Sequence, residues 1–170
     1  RRALRDPSAR VRFFAAQSLG ALRDSTSQED LFEVVRENAD EDVFLRHAVV
    51  WALHRIGDLD RVSALREDES RSVRLAALLT LRQSGDPRVA GFLADADPLI
   101  VVEAARAIYD WPIDEAMSEL ALLVGGLQAA IADDLQTSQA LHRRVIGANV
   151  RLRSEVGAAA LARYAADESH

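Results

Sequence analysis

The stretch DPSARVRFFAAQSLG, residues 6–20, recurs in altered form as DEDVFLRHAVVWAL (40–53) and DESRSVRLAALLTL (68–81). Aligned on Val11, Leu45 and Val73, all three stretches carry an Arg one position later and an Asp five positions earlier. Small or apolar residues follow four and five positions after the aligned residue, and a Leu follows after eight. This spacing places the apolar residues on one face of a helix, so each stretch is predicted to be helical.

Two weaker copies of the pattern follow along the chain. One is aligned on Ile100 and keeps an Asp five positions earlier, but it has Val101 where the other copies have Arg. The other is LHRRVIGANVRL (141–152), with Asn149 in the column that otherwise holds Leu or Ile. The pattern therefore predicts inner helices at about residues 9–20, 43–56, 71–84, 98–110 and 138–151.

The intervening segments are predicted to form the outer helix of each pair, at residues 28–39, 59–67, 87–95 and 113–124, while residues 127–136 have helical composition without a clear place in the repeat. Gly20, Gly57 and Gly85 are predicted to end inner helices. One helix pair cannot bury both of its faces, whereas stacked pairs share a continuous core. The sequence thus predicts an all-α fold, a single α-solenoid of about five helix pairs over residues 1–170, and a natural chain that extends beyond both ends.

The composition excludes several kinds of site. The chain has no Cys, which rules out a thiolate nucleophile, a Cys-ligated metal and a covalently attached c-type haem within these residues. Its net charge of -6 argues against uniform electrostatic binding to nucleic acid. His47 and His54 are seven residues apart, whereas a helical zinc site usually has its His three or four apart. No phosphate-binding, dinucleotide-binding, hydrolase or metalloprotease motif occurs, so no catalytic residue, metal or cofactor is predicted.

The inner helices resemble HEAT repeats, and the resemblance rests on DPSARVRFFAAQSLG, DVFLRHAVVWALHRIG and SRSVRLAALLTLRQSGD. The aligned residues are 34, 28 and 27 positions apart, below the usual period of about 40, as in the short bacterial variety of the repeat. The resemblance covers about residues 1–110 closely and 111–165 less closely. It implies a non-catalytic scaffold that binds another protein or neighbouring domains of its own chain.

A narrower resemblance concerns SGDPRVAGFLADADPLIVVEAARAIYDWPIDEAM (84–117), together with residues 141–152 and 158–167. These stretches are similar to the HEAT segment of large exported bacterial proteins, where it follows a sugar-dehydrogenase-like β-propeller and precedes a c-type cytochrome domain. This implies a docking or spacer segment in the periplasm or outside the cell, with catalytic residues and haem ligands beyond this chain. Without that context the chain would be expected in the cytoplasm. The alternative is a free-standing HEAT-like enzyme or lyase-type module that acts on a tetrapyrrole or on nucleic acid.

The recurring Asp and Arg have two interpretations. In HEAT repeats such residues form a ladder in which the Arg of one pair reaches the Asp of its neighbour, which here implies a structural ladder of Asp6, Arg12, Asp40, Arg46, Asp68 and Arg74. Alternatively, the three Arg form a row that binds an acidic partner or phosphates.

The positions two and six after each aligned residue are predicted to line a concave, partner-binding face. They hold Phe13, Gln17, His47, Trp51, Leu75, Leu79, Val102 and Arg106. Trp51 is the strongest candidate for an anchor of a partner, since Trp is enriched among the residues that dominate binding energy. The alternative is that these side chains pack within the array.

Overall fold

A computed structural model describes residues 1–127 and 135–166. All elements in this part of the chain are α-helices or 3₁₀ turns, without a strand, which confirms the predicted all-α class. The chain divides into two compact units, residues 1–84 and 85–170. The single solenoid over residues 1–170 stays a prediction.

The first unit contains three inner helices, each preceded by an outer element. Its helices are α1 (Ala9–Leu22), α2 (Gln28–Asn38), α3 (Val43–Ile56), α4 (Leu59–Ala64) and α5 (Arg71–Ser84), with 3₁₀ turns at Arg2–Arg5, Ser25–Ser27 and Leu65–Glu67. The inner helix α3 packs between α1 and α5, while α2 packs against both α3 and α5. Each pair is thus covered by the next.

The second unit repeats this arrangement. Its helices are α6 (Pro98–Asp110), α7 (Met117–Leu122), α8 (Leu135–Leu152) and α9 (Glu155–Ala166), with 3₁₀ segments at Pro87–Ala94, Asp114–Ala116 and Leu123–Gly126. The inner helices α6 and α8 pack against each other, and α7 packs against α8. Most of the predicted helical segment 127–136 lies outside the described residues.

The apolar columns of the repeat form the cores of the two units. Leu45, Val73 and Ile100 are at most 1% exposed, as are the residues eight positions after them, Leu53, Leu81 and Ile108. Val11 departs from its column, because 40% of it is exposed. The spacing therefore identified the inward faces, but burial at each position depends on a neighbouring helix.

Short polar residues define the helix ends. The Asp42 carboxylate caps α3 by accepting hydrogen bonds from the backbone N–H groups of Phe44 and Leu45, at 2.9 and 3.1 Å. Gly57 ends α3 with a φ of +83°, in the left-handed region that favours glycine. The prediction for Gly20 is wrong: α1 continues to Leu22 and ends at Arg23, whose φ is +52°.

The outer element of the fourth pair is a 3₁₀ helix, Pro87–Ala94, where the pattern predicted an α-helix. Only thirteen residues, 85–97, lie between the end of α5 and the start of α6. The outer element and both of its connecting turns are therefore formed from this short segment. A 3₁₀ helix rises about 2.0 Å per residue against 1.5 Å for an α-helix. The tighter winding therefore covers more length with the same residues, and it still buries Val89 and Phe92.

Candidate functional site

The predicted face is partly exposed along the first unit. Its residues there are Phe13 and Gln17 on α1, His47 and Trp51 on α3, and Leu75 and Leu79 on α5. His47 is exposed and the other five side chains are half-buried. These six positions therefore border solvent, where apolar side chains are available to a partner.

Trp51 is held at the contact between α1 and α3. Glycine at position 20 makes this contact possible, because a Cβ there would lie 2.6 Å from the Cα of Ala52 and 2.9 Å from Cζ3 of the Trp51 ring. The guanidinium of Arg55 lies 5.6 Å from the centroid of the Trp51 ring, within cation–π range. The Trp51 ring is thus fixed on one side by α1 and is paired with a cation one turn further along α3.

Two aromatic residues of this region were missing from the sequence-based set. Phe44 is 73% exposed in the first turn of α3, and Phe14 is 54% exposed on α1. The Phe14 ring meets the Phe13 ring edge to face, with centroids 5.3 Å apart. Phe44 lies three and seven residues before His47 and Trp51, so helical spacing alone places it on their face. We call Phe13, Phe44, His47, Trp51, Leu75 and Leu79 the inner aromatic face.

The remaining two predicted positions, Val102 and Arg106, belong to α6 in the second unit. Val102 is half-buried and lines a cavity together with Leu93 and Leu141. Arg106 is exposed and lies 3.7 Å from a Glu103 carboxylate oxygen and 3.8 Å from one of Asp110. The Arg106 guanidinium is therefore paired along its own helix.

The Asp–Arg ladder is centred on Asp40. Its carboxylate accepts from Arg46 of its own repeat at 2.7 Å and from Arg71 of the next repeat at 3.0 Å, using one oxygen for each. Only 15% of the Asp40 side chain is exposed, so these charge-assisted bonds are partly shielded from water. Asp40 thereby joins two consecutive repeats.

The hydrogen bonds described for the recurring Arg column run to groups of the same repeat, where the resemblance implied bonds to the neighbouring repeat. Arg12 and Arg74 donate to the backbone carbonyl oxygens of Asp6 and Asp68, at 3.2 and 3.0 Å, and Arg46 binds the Asp of its own repeat. Two connections between repeats run from Arg71 to Asp40 and from an outer-helix residue, Arg36, to Asp68 at 2.8 Å. These within-repeat bonds have a geometric reason, because an Arg six residues after the Asp reaches back over the turn that separates the two.

The column Asp residues also shape the turn before each inner helix. One carboxylate oxygen of Asp6, Asp68 or Asp95 accepts from the backbone N–H two residues later, at 2.8 Å in each case. This is an Asx turn, which stabilises the entry to the helix.

On the outer helix α2, a hydrogen bond with Glu33 raises the pKa of Arg36, and the charge of Asp68 contributes to the same shift.

His47 and His54 lie in different surroundings. His47 is exposed, and His54 shares a 2.8 Å hydrogen bond between its Nδ1 and the Ser84 hydroxyl, which connects α3 to α5. Within residues 1–127 and 135–166, no three His, Asp or Glu side chains come close enough together to hold a metal ion.

Residues 1–67 match the family model for HEAT repeats. This stretch is similar to HEAT repeats. HEAT repeats generally serve as protein-interaction scaffolds and are typically non-catalytic. The matched HEAT repeats include α1, α2 and α3, and hence Phe13, Phe44, His47 and Trp51. No curated protein matches the chain. Among the described residues, no helix combines the length and the apolar character needed to cross a bilayer.

Proposed function

We propose that this chain is a non-catalytic scaffold whose inner aromatic face binds another protein or a neighbouring domain. The observation that carries the proposal is the exposure of Phe44, at 73%, next to the half-exposed Trp51 on the same face of α3. Burying apolar surface on binding contributes about 25 cal/mol per Å². A rigid helix that presents aromatic side chains therefore has the features of a binding anchor.

Rigidity supports the same proposal. The Trp51 ring lies against Gly20. Asp40 joins the repeat of α3 to the repeat of α5 through its bonds with Arg46 and Arg71. A partner that meets a preorganised surface loses less conformational freedom on binding than one that must order it.

A photocrosslinking experiment tests the proposal. A photoreactive phenylalanine analogue is placed at position 44 and, as a matched control, at Leu122, a residue of the second unit that is 75% exposed. We expect a discrete adduct in cells at position 44, and direct binding of the identified protein by the purified chain. Loss of that binding in Phe44→Ala, with Leu122→Ala unchanged, supports the proposal. Equal labelling at both positions, or binding indifferent to Phe44→Ala, contradicts it.

The narrower form of the proposal is that the chain is a docking or spacer segment of an exported redox protein. It rests on the similarity of residues 84–117 to the HEAT segment of such proteins. Reading the gene on both sides tests it: a β-propeller before this segment and a CxxCH haem motif after it support the docking role. Flanking sequence with neither contradicts the narrower form and leaves the scaffold role intact.

A further inference from the structure

The charges of the first unit are separated by layer. The inner helices α1, α3 and α5 together contain seven Arg and two His and no Asp or Glu. The outer helix α2 contains four acidic residues and one Arg in its eleven positions. Although the chain as a whole has a net charge of -6, its inner layer is therefore basic.

Arg12, Arg46, Arg71 and Arg74 belong to the ladder, whereas Arg10 and Arg55 have no contact with its Asp residues. Both are exposed, and neither pairs with a carboxylate in the described residues; the Arg55 contact is with the Trp51 ring. Arg10 lies in the first turn of α1, where a cation opposes the helix dipole. Helix stability therefore does not account for Arg10, which remains available to an external anion.

Arg10 and Arg55 lie at opposite ends of the inner aromatic face. The C-terminal part of α1 contacts the C-terminal part of α3, as the approach of Gly20 to Ala52 shows. Arg10 lies one residue before the aligned Val11, and Arg55 lies ten residues after the aligned Leu45, so their positions in the repeat differ by eleven residues. At the rise of an α-helix this corresponds to about 16 Å along the helices. Phe13 and Trp51 occupy columns between them, and Phe44 lies in the same column as Arg10.

We infer that the inner aromatic face of the first unit binds an acidic polypeptide segment that carries carboxylates at both ends of an apolar core. The inference rests on the proposed function and specifies the chemistry of the partner. An extended segment covers about 16 Å with roughly five residues, so paired acids on each side of a short Phe- or Leu-containing core would meet both Arg. The apolar side chains favour a polypeptide over nucleic acid, which would need a longer row of free cations.

Fluorescence anisotropy with a labelled synthetic peptide tests the inference. The probe has two Glu at each end of a Ser-Phe-Ser-Leu-Ser core, and its counterpart has Lys in place of every Glu. In Trp111→Phe protein, which retains Trp51 as its one Trp, we expect the acidic probe to bind, to shift the Trp51 emission and to weaken with added salt. The Lys counterpart is expected not to bind.

Variants locate the binding. Arg10→Glu and Arg55→Glu are each expected to weaken the acidic probe about tenfold or more, the scale of close charge pairs at interfaces. The matched control is Arg163→Glu on α9, which also exchanges an exposed Arg and should leave binding unchanged. Thermal melts of each variant show whether it is folded.

The outcomes separate this inference from the proposed function. Equal binding of the Glu and Lys peptides, or insensitivity to Arg10→Glu and Arg55→Glu, overturns the acidic partner. Preferential binding of a single-stranded oligonucleotide also overturns it, in favour of nucleic acid. If a protein identified by crosslinking at position 44 docks through a basic or uncharged segment, the inference fails while the scaffold role stands.

Discussion

At the scale of single residues, most polar side chains have a defined structural task, and Gln28 does not. Asp42 caps α3, Asn38 bonds both the N–H and the C=O of Asp42, and Thr80 bonds the Ala76 carbonyl inside α5. Gln28 is 1% exposed at the start of α2, and within the described part of the chain neither polar atom of its side chain has a hydrogen-bond partner. A buried polar group without a partner costs about 1–3 kcal/mol.

Gln28→Met should therefore stabilise the protein, by about 1–3 kcal/mol, since Met has a similar shape and no amide to desolvate. The measurement is the free energy of unfolding in urea, followed by far-UV circular dichroism. Gln83→Met on the exposed side of α5 is the control and should stay within about 0.5 kcal/mol. A loss of stability in Gln28→Met would show that the amide contributes a native interaction.

At the scale of elements, the approach of α1 to α3 depends on one missing side chain. A Cβ at position 20 would lie 2.6 Å from the Cα of Ala52, a backbone atom that cannot move aside alone. In an isolated helix, replacing Gly by Ala is favourable by about 1 kcal/mol. Forcing extra volume into a packed interface costs about 1–3 kcal/mol, so packing and helix propensity act in opposite directions here.

Because the contact is with backbone, we expect packing to dominate and Gly20→Ala to lower the free energy of unfolding by about 1–3 kcal/mol. Trp51 emission provides a second readout, since the ring lies against the same site. Gly125→Ala is the matched control, because nothing lies within 4 Å of the added Cβ. A higher free energy of unfolding in Gly20→Ala would contradict this, because it would mean that α1 and α3 move apart to admit the methyl group without loss of stability.

The ladder at Asp40 acts between elements and offers a second test. Asp40 has a φ of +64°, a conformation that Asn also tolerates, so Asp40→Asn removes the charge and retains the backbone. We expect a loss of about 1–3 kcal/mol, between the values for exposed and buried pairs. A double-mutant cycle with Arg71→Gln should give a non-zero coupling energy that decreases in high salt.

The exposed pair of Glu67 and Arg66, at 3.0 Å, is the control for the ladder. Glu67→Gln should change the free energy of unfolding by less than about 0.5 kcal/mol, because both side chains are more than half exposed. If Asp40→Asn and Glu67→Gln change the free energy of unfolding equally, the ladder does not stabilise the protein more than an exposed ion pair does.

At the scale of the whole molecule, 27 acidic residues make stability depend on pH. A hydrogen bond with Thr26 lowers the pKa of Asp24 below 3.8, and one with Arg88 lowers that of Asp86 in the same direction. The unfolded chain therefore binds more protons than the native one in this range, so stability rises with pH. This contribution is complete above pH 3.8 and is lost as the pH falls through the lowered pKa values.

Asp86→Asn should lower the urea midpoint at pH 7 and have progressively less effect as the pH falls through the lowered pKa of Asp86, because the wild-type carboxylate then becomes protonated as well. Asn retains the ability to cap the helical segment that follows, as Asp86 does through the N–H of Arg88, so the change isolates the charge. Asp114→Asn is the exposed control. A midpoint shift of the same size at both pH values would assign the effect to geometry and not to charge.

The sequence by itself determined the helical class, the inward columns and the likeness of its N-terminal part to HEAT repeats. The spacing of Leu45, Val49 and Leu53 identifies a buried helix face, because a period of 3.6 residues is a property of the local backbone. The same reasoning located Gly57 as a helix end. Phe44 was within reach of the same spacing and was overlooked.

Only the tertiary structure decided which neighbours these residues meet. It moved Gly20 from a helix end to a helix contact, gave the column Arg hydrogen bonds within their own repeats, and placed Arg71 and Arg36 in bonds that join repeats. It also distinguished Arg10 and Arg55, which pair with no carboxylate among the described residues, from the Arg held in the ladder. Periodicity specifies the face on which a side chain lies, whereas distance and partner depend on how closely two helices approach, and that depends on residues far apart in the chain.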